Sequence, residues 1–162
     1  MRQARADVGG TQIEAIIAAE RACSRLCLEF TRSVDTGAYE AAAALFTEDG
    51  EFTRRGSTFR GHEAIARSFD EILGGWHGRA RNPSWRVRHL CTNIMIDVVS
   101  PTEATGVSYY TIYLYKGPDV AGLATISGPG LIGDYVDRFV RTGDGWRISR
   151  REARSLLAGP GA

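Results

Sequence analysis

Apolar residues change their spacing along this chain. In the first part they recur three and four apart; from Trp85 onward they alternate with polar residues. Ile13, Ile16, Ile17, Cys23, Cys27, Phe30 and Val34 form one helical stripe, with Glu20 its one polar interruption. Thr11 and Glu14 have the spacing of a capping box, and Gly37 supplies the C-terminal stop. This predicts a helix from Thr11 to about Asp35, preceded by a loose arm over 1–10 that ends at Gly9-Gly10. A carboxylate at Asp35 would then sit at the unfavourable end of the helix dipole. A short helix is expected over Tyr39–Phe46, a turn at Asp49-Gly50, and a hairpin of Glu51–Arg55 with Thr58–Arg60 around Gly56-Ser57. His62–Leu73 reads as a third helix with Ile65, Phe69, Ile72 and Leu73 inward. Gly74–Ser84 reads as a loop bordering a site.

The remainder reads as strands: Trp85–Val99, Glu103–Lys116, Leu131–Arg141 and Trp146–Leu157, with a tail over 158–162. Helices followed by an antiparallel meander make an α+β domain. A strongly curved sheet with helices on one face would enclose a cavity, the default place for a ligand. Within the first strand, alternation puts Val87, His89, Cys91 and Asn93 on one face and Arg88, Leu90, Thr92 and Ile94 on the other. A histidine on so apolar a strand needs a partner or a cavity, because a buried unpaired ring nitrogen costs free energy. Taken alone, it reads as a satisfied core residue.

The 162 residues make one domain, read as 11–157, with 43% hydrophobic and 24% charged side chains and a net charge of +1. Arginine supplies all the basic residues but Lys116, which fits a GC-rich bacterial genome. No basic stripe interleaved with aromatics argues for nucleic acid. No apolar run is long enough for a membrane span, and the polar N-terminus lacks a signal-peptide core. Three cysteines in no disulfide spacing fit a reducing cytoplasm. Cys23 and Cys27 lie one helical turn apart, but without a matching His/Cys pair they read as packing, not as metal ligands. His62 and His77 read as solvent-facing. No phosphate-cradling loop or nucleophile elbow argues for a cofactor or a covalent intermediate.

Four stretches, SVDTGAYEAAAALFTEDGEF, FRGHEAIARSF, RHLCTN and DYVDRFVRTGDGWRISRRE, together with the order of elements, resemble the SnoaL-like branch of the nuclear transport factor 2-like superfamily. The resemblance covers roughly residues 11–157, nearly a whole domain. It implies a cystatin-like cone: a curved sheet wrapped around N-terminal helices, enclosing an apolar pocket. It identifies a fold more than a reaction.

The pattern is similar to the His–Asp dyad of scytalone dehydratases and hexachlorocyclohexane dehydrochlorinases. Asp35 in SVDTG and His89 in RHLCTN hold the matching positions. Arg151 in WRISRRE matches an arginine of the dehydrochlorinase pattern. Phe30 departs from it: the dehydrochlorinases have lysine there and related bile-acid dehydratases tyrosine, so the acid would come from Tyr110, Tyr135 or Arg151. In such a dyad the carboxylate fixes the imidazole tautomer and stabilises the imidazolium, freeing the other nitrogen as a base.

Phe30, Asn93, Tyr110 and Tyr135 are the expected substrate contacts, and each site residue also has a plain structural reading. Asp35 could cap the following turn, and Arg151 could be the outward member of an Arg150-Arg151 run. Asn93 could only hold its strand, Tyr110 and Tyr135 could be pocket walls, and Asp137 could pair with an inward arginine. The expected activity is a cofactor-independent dehydration or β-elimination, isomerisation or cyclisation of a small, largely apolar substrate of polyketide, terpenoid or aromatic type. The alternative is a non-catalytic binder or the small structural subunit of a ring-hydroxylating dioxygenase. Members of the branch form homodimers or homotrimers through the outer sheet face, where the tyrosine-rich strand 103–116 lies.

Overall fold

The structure is a computed structural model that describes residues 3–77, 85–116, 126 and 128–159, with side chains over 9–71, 87–115, 126 and 128–159. The elements in chain order are α1 (Gln3–Asp35), α2 (Tyr39–Ala43), β1 (Phe46–Arg54), β2 (Ser57–Arg60), α3 (His62–His77), β3 (Trp85–Ser100), β4 (Glu103–Lys116), β5 (Leu131–Thr142) and β6 (Gly145–Ala158). The six strands form one curved, open sheet in the order β2-β1-β6-β5-β4-β3. β3 to β6 make the expected antiparallel meander. β1 joins β6 in parallel, so the sheet is mixed. The expected loop over Gly74–Ser84 begins later, because α3 runs on to His77; the rest of it, and the side chains of Ile72 and Leu73, lie outside the described residues.

The first helix starts at Gln3, not at Thr11, and runs through Gly9-Gly10. Glycine costs a helix interior about 1 kcal/mol relative to alanine, too little to stop one that extends from a long, packed segment downstream. The stripe that meets the sheet is Ala19, Cys23, Leu26, Cys27, Phe30 and Val34. Ile13 and Ile17 are exposed instead (59% and 56%), because α1 has no neighbour at that level among the described residues. At its other end Gly37 is left-handed (φ 74°), with Gly37 N–H donating to Val34 O (3.1 Å) and Ala38 N–H to Ser33 O (2.9 Å). These are the two bonds of a Schellman stop, and they place Asp35 in the last helical turn.

The second helix is shorter than its alanine run suggests, because Phe46 already opens β1. Asp49-Gly50 lies inside β1 at a register irregularity, not in a turn. The hairpin turns on Arg55-Gly56, both left-handed (φ 47° and 79°), as a two-residue turn requires.

A second irregularity changes the reading of β3. Thr92 faces Tyr109 and Met95 faces Val107, so β3 carries one extra residue between them. Asn93 adopts φ 51° there. The bulge reverses the alternation: Ile94, Ile96 and Val98 turn inward, and Asn93 is exposed. Asn93 therefore does not share the inner face with His89 and Cys91.

The core lies between α1 and the sheet's concave face. Phe30 is at its centre, with ring centroids 6.0 Å from Phe46, 5.6 Å from Phe52, 5.7 Å from Phe69 and 5.9 Å from Tyr135. No helix among the described residues is long and apolar enough to cross a membrane.

Candidate active site

Asp35 reaches from the end of α1 to the edge of the sheet. β3 is an edge strand, and a backbone N–H pointing away from β4 needs another acceptor. The Asp35 carboxylate supplies it: His89 N–H donates to Oδ2 (2.9 Å) and to Oδ1 (3.2 Å). The same carboxylate meets the His89 ring, Oδ1 to Nδ1, at 2.5 Å. These contacts explain a carboxylate at the negative end of a helix. An ionised carboxylate only accepts, so Nδ1 carries the proton and a neutral ring has its lone pair on Nε2. Nε2 makes no hydrogen bond to a described residue. Both side chains are 8% exposed. They border a groove of about 260 Å³ lined also by Thr31, Arg32, Thr36 and Arg88.

Arg151 belongs to a second cluster. In the sheet register Gly106, Asp137, Arg151 and Phe52 form one row across β4, β5, β6 and β1. Arg151 is fully buried and grips Asp137 with two parallel bonds, Nε to Oδ1 and Nη2 to Oδ2, both 2.7 Å. Its guanidinium carbon lies 4.4 Å from the Phe30 ring centre and 4.5 Å from that of Tyr135. Burial opposes the Arg151 charge, but the Asp137 carboxylate more than offsets it and holds the guanidinium above its ordinary range. Nη1 is buried with no hydrogen-bond partner among the described residues. The Cys27 thiol lies 3.5 Å from Asp137 Oδ2, and burial pushes it up to about 12.

The two tyrosines close this cluster. Tyr135 packs against Tyr110 with tilted rings, centroids 4.6 Å apart, and burial raises its hydroxyl pKa far above the usual range. Tyr110 also titrates higher because of burial, with the 2.9 Å bond between its hydroxyl and Ser155 working the other way. Tyr110 fits because Gly133 lies beneath it: a Cβ there would stand 2.6 Å from the hydroxyl oxygen.

The structure thus brings Asp35 to His89, and Phe30, Tyr110 and Tyr135 to Arg151. Asn93 joins neither group. Cys91 adjoins the second group, and burial raises its thiol pKa. Among the described residues no three of His, Cys, Asp and Glu converge on one point.

Sequence reading passed over Arg54, on the inward phase of β1 with Phe52. Its guanidinium donates to Ser68 O and lies over the Phe59 and Phe69 rings, at 5.4 and 5.3 Å. Burial, then Arg55, lowers its pKa to about 10. It also passed over Arg32 and Arg88, although the first lies one helical turn before Asp35 and the second beside His89.

A family model for the SnoaL-like domain matches residues 15–152. Among solved structures the chain is similar to a candidate scytalone dehydratase from Novosphingobium aromaticivorans, at 24% identity and TM-score 0.73, covering 93% of this chain and 92% of that one. It is also similar to Rv3472 from Mycobacterium tuberculosis, a protein of unknown function, at 28% identity and TM-score 0.63, covering 93% and 75%. A third is the hexachlorocyclohexane dehydrochlorinase LinA-type3 from Novosphingobium barchaimii, at 19% identity and TM-score 0.65, covering 91% and 93%. Among curated proteins none matches the chain.

Proposed function

Because the chain belongs to the SnoaL-like family, we propose that it is a cofactor-independent acid/base enzyme working through His89 and Asp35. The observation that carries this reading is the 2.5 Å contact between Asp35 Oδ1 and His89 Nδ1, with Nε2 left without a hydrogen-bond partner among the described residues. Nε2 takes a proton from a carbon of the substrate, and Asp35 stabilises the imidazolium that forms. In an elimination the C–H electron pair becomes the new double bond. The imidazolium then gives its proton to the departing hydroxyl, which leaves as water, so one histidine serves as base and acid. This reading needs no polar group at Phe30. The same proton shuttle would serve an isomerisation or a cyclisation. Arg151 is a supporting residue here: apart from Nη1, its guanidinium is committed to Asp137 and two ring faces.

The test is a set of cyclic β-hydroxyketones and enones, read by loss of water and by deuterium uptake at the α carbon. His89→Ala and Asp35→Asn are each expected to slow turnover by about 10²–10⁴-fold. Full activity in both variants would sink the reading. A second reading, a non-catalytic pocket protein or dioxygenase subunit, draws on Phe30, whose aromatic packing occupies the centre of the core. It predicts no turnover by the wild type and copurification with a larger iron protein.

The outer sheet face exposes Leu90, Met95, Val99, Val107 and Tyr109. Such an apolar face supports self-association as a homodimer or homotrimer. Val107→Asp is expected to shift the sedimenting species to monomer.

A further inference from the structure

The groove between the last turns of α1 and β3 contains more than the histidine and its carboxylate. Its lining is Thr31, Arg32, Asp35, Thr36, Arg88 and His89, around about 260 Å³. The Asp35–His89 pair is thus part of the groove's wall, together with two residues whose guanidinium groups are permanently charged and shaped to hold oxyanions. Asp35 is the one acidic residue in the lining, and its oxygens already accept from His89. Neither Arg32 nor Arg88 has a carboxylate partner among the described residues. Among the described residues Arg88 Nη1 donates only to the carbonyl of its own neighbour, Val87, at 3.1 Å. A helix-dipole role would account for Arg32 in the last turn of α1. It would not account for Arg88, which comes from the strand.

We propose that this groove is an anion subsite, and that the molecule on which His89 acts carries a carboxylate or phosphate held by Arg32 and Arg88. The inference rests on the acid/base reading and narrows its substrate class. The substrate is an apolar body with one anionic group, not a wholly neutral hydrocarbon or polyketide. The groove sets its orientation, with the charged end at the α1–β3 edge and the reacting C–H at Nε2.

The test uses benzoate and phenyl phosphate as anionic probes and benzamide as the neutral one. Binding is measured by titration calorimetry and ligand-observed NMR. The wild type is expected to bind one of the anions at least about tenfold more tightly than benzamide, with affinity that falls as salt is added. Whichever anion binds tighter identifies the group carried by the substrate. The double variant Arg32→Gln/Arg88→Gln is expected to lose that tenfold preference and to keep the wild-type melting temperature. His89→Ala is expected to keep the preference. Equal binding of benzamide and the anions, no binding of either anion, or an undiminished preference in the arginine variant would overturn the subsite. If His89→Ala keeps full turnover while the anion preference needs both arginines, the acid/base reading fails and the anion site remains.

Discussion

Among the described residues, two buried carboxylate contacts, one to a guanidinium and one to an imidazole, join separate elements, and their surroundings set them apart. Arg151 and Asp137 meet inside the sheet's concave face, with no solvent on either side chain and aromatic rings over the guanidinium. Asp35 and His89 meet at the sheet's edge, beside a groove. Both contacts are short and both desolvate a carboxylate. Only the second includes an imidazole, which can take and give a proton, and whose Nε2 makes no hydrogen bond to a described residue. The first is suited to holding the fold together and the second to chemistry.

The largest effect that tests this contrast comes from breaking the buried pair. Asp137→Ala leaves the Arg151 charge unpaired and fully buried, which is expected to cost about 3–5 kcal/mol. Replacing both partners, as in Asp137→Leu/Arg151→Met, is expected to recover most of that loss. Urea denaturation reads both, and a loss under about 1 kcal/mol in Asp137→Ala would remove the structural role.

Asp35→Asn is the counterpart at the edge. The amide oxygen can still accept from the His89 backbone, so a smaller loss of about 1–2 kcal/mol is expected, against the large loss of turnover predicted above. A stability loss equal to that of Asp137→Ala would erase the distinction between the two contacts.

Asn93 tests the bulge. Asn93→Val puts a β-branched residue at φ 51° and is expected to cost about 1–3 kcal/mol, whereas Asn93→Gly is expected to be near neutral. Neither should alter substrate affinity, since Asn93 lies outside both clusters; a changed KM in Asn93→Gly would return it to the site.

The smallest effect is a pH dependence. Burial pushes Cys23 and Cys27 from 9.0 up to about 12. The folded chain keeps those protons in a range where the unfolded chain releases them. Their contribution to stability is therefore fully present below about pH 9 and lost as pH rises towards about 12. The melting temperature should fall across that window, and less steeply in Cys23→Ala/Cys27→Ala. An equal slope in the variant would assign the fall to other groups.

Much of this architecture is local, and what is local could be read from the sequence. Alternation marked β3 to β6 to within a residue or so at most ends, and Gly37 marked the end of α1. The parallel pairing of β1 with β6 could not be read, because it depends on contacts across the whole chain. The bulge at Asn93 was equally hidden: one extra residue moved Ile94 and Ile96 to the inner face without changing the composition of the strand. Within the site, Asp35 and His89 came from a family pattern, while their hydrogen-bond geometry came from the fold. Phe30 was placed as a substrate contact on that pattern; the structure shows it packed against four aromatic rings. Arg32 and Arg88 were not read as site residues, because the family pattern that pairs Asp35 with His89 includes neither and alternation puts Arg88 on the strand face opposite His89.

In the proposed mechanism Asp35 fixes the His89 tautomer so that Nε2 is a base. The most direct measurement is an NMR spectrum of the ¹⁵N-labelled histidine ring in its neutral form, for the wild type and Asp35→Asn. A protonated Nδ1 and an unprotonated Nε2 are expected in the wild type, with that preference weakened or reversed in Asp35→Asn. A proton on Nε2 in the wild type, or an identical spectrum in the variant, would contradict it.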